Sequence, residues 1–336
     1  MGSNMNFMSE LKIAQHYYDY TRTGPVTIDL HPTLACQNKC YFCISENFHV
    51  SCIDRANFSR KHSLDWEVLQ RTIGEWKDMN VKAIQLTGGG EPTLYYKFPE
   101  LLEEISSFKV GMITNGINVG KYAENICKST DWIRISLDAS NKKMYNRIKS
   151  ADNFDKVIKS LRTLLDVRGN SVTPRIGIAY IITPESVSGI VEVAELLNAM
   201  DCRIDYLQFK DVLSRGVMFT EEYKTLIDNN IEVAQVYTGF PVLYTKHHSD
   251  YKREYERCFV TDYVAVLGAD GNVYNCCHQE YIPECSNGSI YEKSFREIWE
   301  NRKEVQINNN LCWNCRFMKT NDVLHSLHSI EDGDFI

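Results

Sequence analysis

Short runs of β-branched and other apolar residues alternate with longer amphipathic stretches from about residue 26 onward, the pattern of a parallel sheet with crossover helices. These runs predict six strands, at 26–30, 81–87, 110–114, 132–137, 175–182 and 203–209. Helices are predicted behind them. One spans 64–79 after a Ser63 cap, and another spans 154–167, where Val157, Leu161, Leu164 and Leu165 share one face. The fold class is α/β. Six units fall short of the eight in a closed barrel, which points to a partial (β/α)6 barrel of the TIM type with an open side; a doubly wound open sheet is the alternative. In both, ligands gather at the carboxyl ends of the strands. Those ends are polar here: His31-Pro32-Thr33, Thr87-Gly88-Gly89-Gly90-Glu91-Pro92, Thr114-Asn115-Gly116, Ser136-Leu137-Asp138 and Gln208-Phe209-Lys210-Asp211. Past about residue 240 the alternation stops and cysteines accumulate. The chain therefore divides into an N-terminal extension (1–25), a barrel (26–240) and a small cysteine-rich domain (241–336).

With 336 residues, 43% of them hydrophobic, the chain can bury a large core, so disorder is excluded. A net charge of −7 argues against a nucleic-acid surface, which needs clustered Lys and Arg. No apolar run reaches the roughly 18 residues that would cross a bilayer, and no secretion signal opens the chain. A cytoplasmic protein without a membrane partner is expected. Met1-Gly2-Ser3-Asn4 before a second Met5 has the look of an expression remnant.

Twelve cysteines in a chain without a secretion signal point to metal or cluster ligation, since cytosolic thiols stay reduced. Three crowd into Cys36-Gln37-Asn38-Lys39-Cys40-Tyr41-Phe42-Cys43, and six lie between 258 and 315. Cys52, Cys127 and Cys202 are scattered, and Cys127 reads as a small buried hydrophobe. The tight loop can wrap three corners of a cubane and leaves one iron without a protein ligand, whereas iron-sulfur clusters normally take four thiolates. On spacing alone a zinc knuckle with Cys52 as fourth ligand stays open. The glycine triplet is not a phosphate loop, because no Gly-Lys-Ser/Thr follows it.

These motifs together resemble the radical S-adenosylmethionine (SAM) superfamily. The triad Cys36, Cys40 and Cys43 matches CxxxCxΦC, with Phe42 as the aromatic, and Gly88-Gly89-Gly90-Glu91-Pro92 resembles the GGEP motif. The resemblance implies a site-differentiated [4Fe-4S] cluster on the triad that cleaves SAM reductively, with electrons from a flavodoxin- or ferredoxin-type donor. It also implies that Gly88, Gly89, Gly90 and Glu91 receive the methionine amino group, and that Asn115, Ser136 and Asp138 contact the ribose or carboxylate. As bare residues, Asn115 also suits a turn and Asp138 a helix cap. Cys258, twelve residues, Gly271, four residues and Cys276 resemble the opening of the SPASM pattern, and Cys312-Trp313-Asn314-Cys315 its continuation. No cysteine follows Cys315, which resembles the shortened twitch form with one auxiliary [4Fe-4S] cluster on Cys258, Cys276, Cys312 and Cys315. Cys277 and Cys285 are possible substitutes, and a four-cysteine zinc site is the alternative.

The resemblance implies a substrate radical oxidised through the auxiliary cluster, with a sugar-, aminocyclitol- or nucleoside-like small molecule as the leading substrate. Peptide modification is the runner-up, and epimerisation or dehydration a further option; for epimerisation Cys202, Cys277 or Cys285 would supply hydrogen. Lys210, Asp211 and Arg147 are the candidate bases for an alcohol proton. A non-enzymatic zinc-binding interaction module is the reading from a different class.

Overall fold

The computed structural model describes residues 2–19, 21–45, 55–200, 203–212, 220–246, 253, 255–308, 312 and 315–329. Cys52 and Cys202 lie outside these residues. The strands are β1 (Thr27–Leu30), β2 (Ala83–Leu86), β3 (Lys109–Thr114), β4 (Trp132–Ser136), β5 (Arg175–Ile182), β6 (Tyr206–Asp211), β7 (Val242–Thr245), β8 (Val264–Leu267), β9 (Asn272–Tyr274) and β10 (Ser286–Ser289). All six expected strands form, shifted at most by a few residues. The sixth starts and ends later than expected, which places Lys210 and Asp211 inside β6.

The sheet runs in the order β10-β9-β8-β1-β2-β3-β4-β5-β6-β7. From β1 to β7 the strands are laid down one beside the next, all parallel, with no reversal of order. A doubly wound sheet needs such a reversal; successive right-handed crossovers without one curl the sheet toward a barrel. The parallel strands outnumber the expected six. β7 pairs with β6, and β8 pairs in parallel with β1, Thr27 opposite Val264. Both are four-residue strands in the stretch taken as a separate domain, too short for periodicity to reveal. β7 and β8 do not pair, so the barrel stays open there.

The helices obey their local signals. Helix Trp66–Asp78 buries Leu69, Ile73 and Trp76, and Asp65 caps it by accepting from the Val68 N–H at 3.0 Å. The expected cap, Ser63, instead bridges Thr33 across the chain. Helix Phe154–Arg168 buries Val157, Leu161, Leu164 and Leu165 as the 3.6-residue pattern requires. Helix Gly2–Tyr17, in the stretch read as a remnant and extension, packs beside the C-terminal helix Met318–His328. Among the described residues no helix is long and apolar enough to cross a membrane.

Two aromatic rings plug the lower lumen. A Cβ built on Gly111 would stand 2.1 Å from the Trp132 ring, and one on Gly177 2.1 Å from the Tyr206 ring. Only glycine lets these rings lie flat against β3 and β5. Gly111→Ala is expected to lower stability by about 1–3 kcal/mol through overpacking. The check is the urea midpoint at unchanged slope; a wild-type midpoint would mean that the ring is free to leave the lumen.

Candidate functional site

The three-cysteine loop follows β1 and is held at its backbone. Arg60 donates to the Cys36 carbonyl at 2.7 Å and to the Asn38 carbonyl at 2.9 Å. The Lys39 and Tyr41 N–H groups donate to the Lys149 and Ile148 carbonyls, orphan acceptors at the end of helix Lys142–Lys149. Arg55 ties the far end of the loop to the C-terminal segment, donating to the carbonyls of Ile44 at 3.2 Å and His278 at 3.3 Å. Burial raises the Cys36 thiol, and it pushes Cys40 up to about 11 against the pull of Lys149. Metal loading therefore has to displace protons.

The glycine turn after β2 lies directly on this loop. A Cβ on Gly90 would be 2.5 Å from the Leu34 carbonyl carbon, and the Glu91 N–H donates to the Ala35 carbonyl at 2.8 Å. Glu91 is buried and its carboxylate accepts four hydrogen bonds. It accepts from the Thr93 N–H at 3.1 Å, from the Thr93 and Thr114 hydroxyls at 2.7 Å each, and from the Asn115 N–H at 2.7 Å. Three of these fall on Oε1 and one on Oε2, which can accept a further donor. Burial raises the Glu91 pKa in spite of these bonds. The Asn115 side chain points back to the loop and donates to Gln37 Oε1 at 3.0 Å.

A cavity of about 360 Å³ lies beneath these elements. Cys36, Cys40, Cys43 and Phe42 line it together with Gly88, Gly89, Gly90, Glu91, Asn115, Ser136 and Asp138, so every residue expected around the first cluster and SAM reaches one space. Lys149 lines it too and was not anticipated. Its side chain is 3% exposed and forms an ion pair with Asp138. Burial works against the charged amine, but the Asp138 carboxylate and Cys40 more than offset this and hold its pKa high. The amine also lies 5.4 Å from the Phe42 ring centroid. Its only sequence signal was position, eleven residues after Asp138 at the end of an amphipathic helix. Lys149→Met leaves Asp138 buried and unpaired and is expected to cost about 3–5 kcal/mol, most of it regained by adding Asp138→Asn. Urea unfolding of the iron-free chain checks this; a double variant no more stable than the single one would contradict it.

A second cavity of about 550 Å³ adjoins the first, and Ile44, Ser45, Thr87, Gly88 and Ile181 line both. Of the three candidate bases, Lys210 faces it from the lumen side of β6. Asp211 reaches its edge from the opposite side of the strand and accepts from the Tyr244 hydroxyl at 2.8 Å. Arg147 lines neither cavity and lies near Tyr41 and Glu185. The second cavity also holds His31 and Glu280. His31 Nδ1 is 2.8 Å from the Tyr281 hydroxyl and 3.7 Å from Glu280 Oε2. Burial lowers His31 to about 4, so this is a contact of a neutral ring rather than an ion pair.

Behind this cavity lie the C-terminal thiols. Burial raises the Cys312 thiol and pushes Cys315 up to about 11, with the nearby Cys258 adding to both and Cys312 to the second. Asn321 donates to the Cys258 sulfur at 3.4 Å, the Phe317 N–H to Cys315 at 3.3 Å and the His278 N–H to Cys276 at 3.4 Å. Cys276 donates to Cys277, which raises the pKa of the first and lowers that of the second. Cys277 and Cys315 reach the cavity wall, while Cys285 lies on the Cys312 side.

Two family models match the chain: the Radical SAM superfamily over residues 30–197, and SPASM, an iron-sulfur cluster-binding domain, over 258–316. A GTP 3′,8-cyclase of Vibrio atlanticus is 22% identical over 219 residues, which is 63% of this chain and 61% of the cyclase. The mycofactocin maturase MftC of Mycobacterium tuberculosis is 22% identical over 292 residues, 83% of this chain and 71% of its own. In fold, the chain is similar to Streptococcus suis SuiB bound to S-adenosylmethionine, with a TM-score of 0.62 at 17% identity over 82% of this chain and 66% of that one. It is likewise similar to anSMEcpe with bound AdoMet, with a TM-score of 0.58 at 19% identity over 88% and 84%. The first family brings a SAM-binding [4Fe-4S] cluster and the second auxiliary iron-sulfur chemistry, which replaces the zinc-binding interaction module left open by cysteine spacing. With a family match that extends over half its length, this chain belongs to the radical SAM superfamily.

Proposed function

We propose that the protein uses SAM-derived radical chemistry to oxidise a small polar molecule held in the larger cavity, with one auxiliary [4Fe-4S] cluster taking up an electron. The position of that cavity supports the reading: it shares a wall with the space around Cys36, Cys40 and Cys43, and Cys277 and Cys315 stand on its other side. A substrate there has the SAM site before it and the auxiliary thiols behind it.

In this reading Cys36, Cys40 and Cys43 hold the first cluster, and Cys258, Cys276, Cys312 and Cys315 the auxiliary one. When bound, the first cluster and SAM supply a 5′-deoxyadenosyl radical that removes a hydrogen atom from the substrate. The backbone of Gly88, Gly89 and Gly90 receives the methionine amino group, and Lys149 offers a cation to its carboxylate. Ser136 and Asn115 stand toward the ribose. Glu91 shapes the turn through Oε1 and, with one donor on Oε2, also offers a carboxylate oxygen to the methionine ammonium. Ile44, Ile113, Ile181 and Val212 exclude water around the reacting carbon. The alcohol proton leaves to the water of the open cavity or to a neutral base on its wall, such as His31.

Peptide modification is the second reading. It is favoured by the match to the maturase MftC across 83% of this chain, and in fold by SuiB, whose structure was determined with the precursor peptide SuiA. Deuterium transfer into 5′-deoxyadenosine separates the two, arising from labelled small molecules in one case and from a labelled peptide in the other.

Anaerobic reconstitution is expected to load about eight irons per chain, four in each cubane. Cys40→Ala should abolish dithionite-driven conversion of SAM to 5′-deoxyadenosine. Cys312→Ala should lose about four irons and keep that conversion while losing oxidised product. SAM cleavage that survives Cys40→Ala overturns the triad assignment, and an unchanged iron content in Cys312→Ala overturns the auxiliary set.

A further inference from the structure

An acidic protein here keeps an excess of cations in its barrel lumen. In register, Arg134 and Ser136 of β4 face the same side as Gln208 and Lys210 of β6, across Gly177, Ala179 and Ile181 of β5. Arg316, one residue beyond Cys315, enters from the C-terminal segment and lines the same cavity as Lys210. Each of the three lies within electrostatic range of the other two.

Among the described residues, carboxylates balance Arg316 but not Arg134 or Lys210. Asp29 pairs with Arg316 at 2.6 Å through one oxygen and accepts from Gln85 at 2.8 Å through the other. Asp138 is committed to Lys149 in the neighbouring cavity. Asp211 takes the opposite side of β6, and burial pushes the Glu280 carboxyl toward its neutral form. Among the described residues Arg134 finds only Gln208 Oε1, at 3.1 Å, and its buried Nε has no acceptor. Lys210 has no carboxylate partner among them. Burial, then Arg134 and Arg316, pulls its amine down to about 7. A guanidinium buried without a counter-ion is costly, and a fold keeps one where a ligand completes it.

We propose that the substrate carries an anionic group, a phosphate or a carboxylate, which sits at Lys210 in the larger cavity with Arg316 beside it and Arg134 deeper in the lumen. Arg316 is already paired with Asp29; a proton-accepting Lys210 would leave Arg134 unaccounted for, whereas an anion accounts for both. The group is not the SAM carboxylate, because Lys210 and Arg316 line only the larger cavity while Lys149 serves the smaller one. Lys319 lines the same cavity and adds to its positive field, while Lys246 there is paired with Asp228. The proposal rests on the reading of this cavity as the substrate site.

The test uses holoenzyme with both clusters and SAM, titrated calorimetrically with inorganic phosphate and, separately, with succinate. One of the two is expected to bind, and Lys210→Gln to weaken it about tenfold, the worth of a hydrogen bond to a charged group. Lys210→Arg should retain it. Binding of phosphate alone points to a phosphorylated substrate, and of succinate alone to a carboxylate. Failure of both anions to bind overturns the proposal, as does undiminished binding in Lys210→Gln with wild-type iron content. Substrate-free formation of 5′-deoxyadenosine, measured on the same samples, reports on the radical reading independently: its absence in the wild type sinks that reading, while anion binding through Lys210 still stands.

Discussion

Backbone pairing of β8 with β1, from Thr27 opposite Val264 to Leu30 opposite Leu267, brings the cysteine-rich segment to the strand that precedes the three-cysteine loop. Four parallel residue pairs do little energetically, but they set distances. With β8 docked there, the turn and hairpin of β9 and β10 carry Cys276, Cys277 and Glu280 to the mouth of the barrel. Arg316 can then reach Asp29 on β1, and Arg55 can bond both the cysteine loop and the C-terminal backbone. The larger cavity exists because two segments more than 200 residues apart in sequence are held on adjacent strands.

Burial governs the chemistry of both cavities. Removed from water, the thiols of Cys36, Cys40, Cys312 and Cys315 prefer their protonated forms, so binding of a cluster is coupled to proton release. The same loss of water makes each buried charge conspicuous. Lys149 with Asp138, and Arg316 with Asp29, are paired and stable. Among the described residues Lys210, on the wall of the larger cavity, and Arg134, deeper in the lumen, are not. A net charge of −7 for the chain conceals a cationic lumen.

The wall between the cavities is narrow and mostly apolar, built from Ile44, Thr87, Gly88 and Ile181 with Ser45. Such a wall suits reactive chemistry, since aliphatic side chains and close backbone exclude water without offering titratable groups. The glycines achieve contact where side chains would prevent it. Gly90 lets one loop lie on another, and Gly111 and Gly177 let Trp132 and Tyr206 close the bottom of the lumen.

Much of the barrel could be read along the chain. Alternating strand and helix periods locate β1 to β6, and the polar residues at their carboxyl ends name most of the first cavity, because a cluster loop and a glycine turn each need contiguous residues. The cap of helix Trp66–Asp78 was misplaced by two residues, since Ser63 and Asp65 both suit the role and only the Thr33 bridge separates them. Tertiary structure alone decided the rest. β7 and β8 are too short to show a period, and their place depends on which edge they reach. Lys149 becomes a site residue only when its helix end meets the cysteine loop. Arg147, one turn away, does not. Lys210 and Asp211 look alike as neighbouring charges, but the two-residue repeat of β6 sends them to opposite sides. Contiguity in sequence determined the ligand loop and the glycine turn; which cations face each other across the lumen was set by the packing of distant strands.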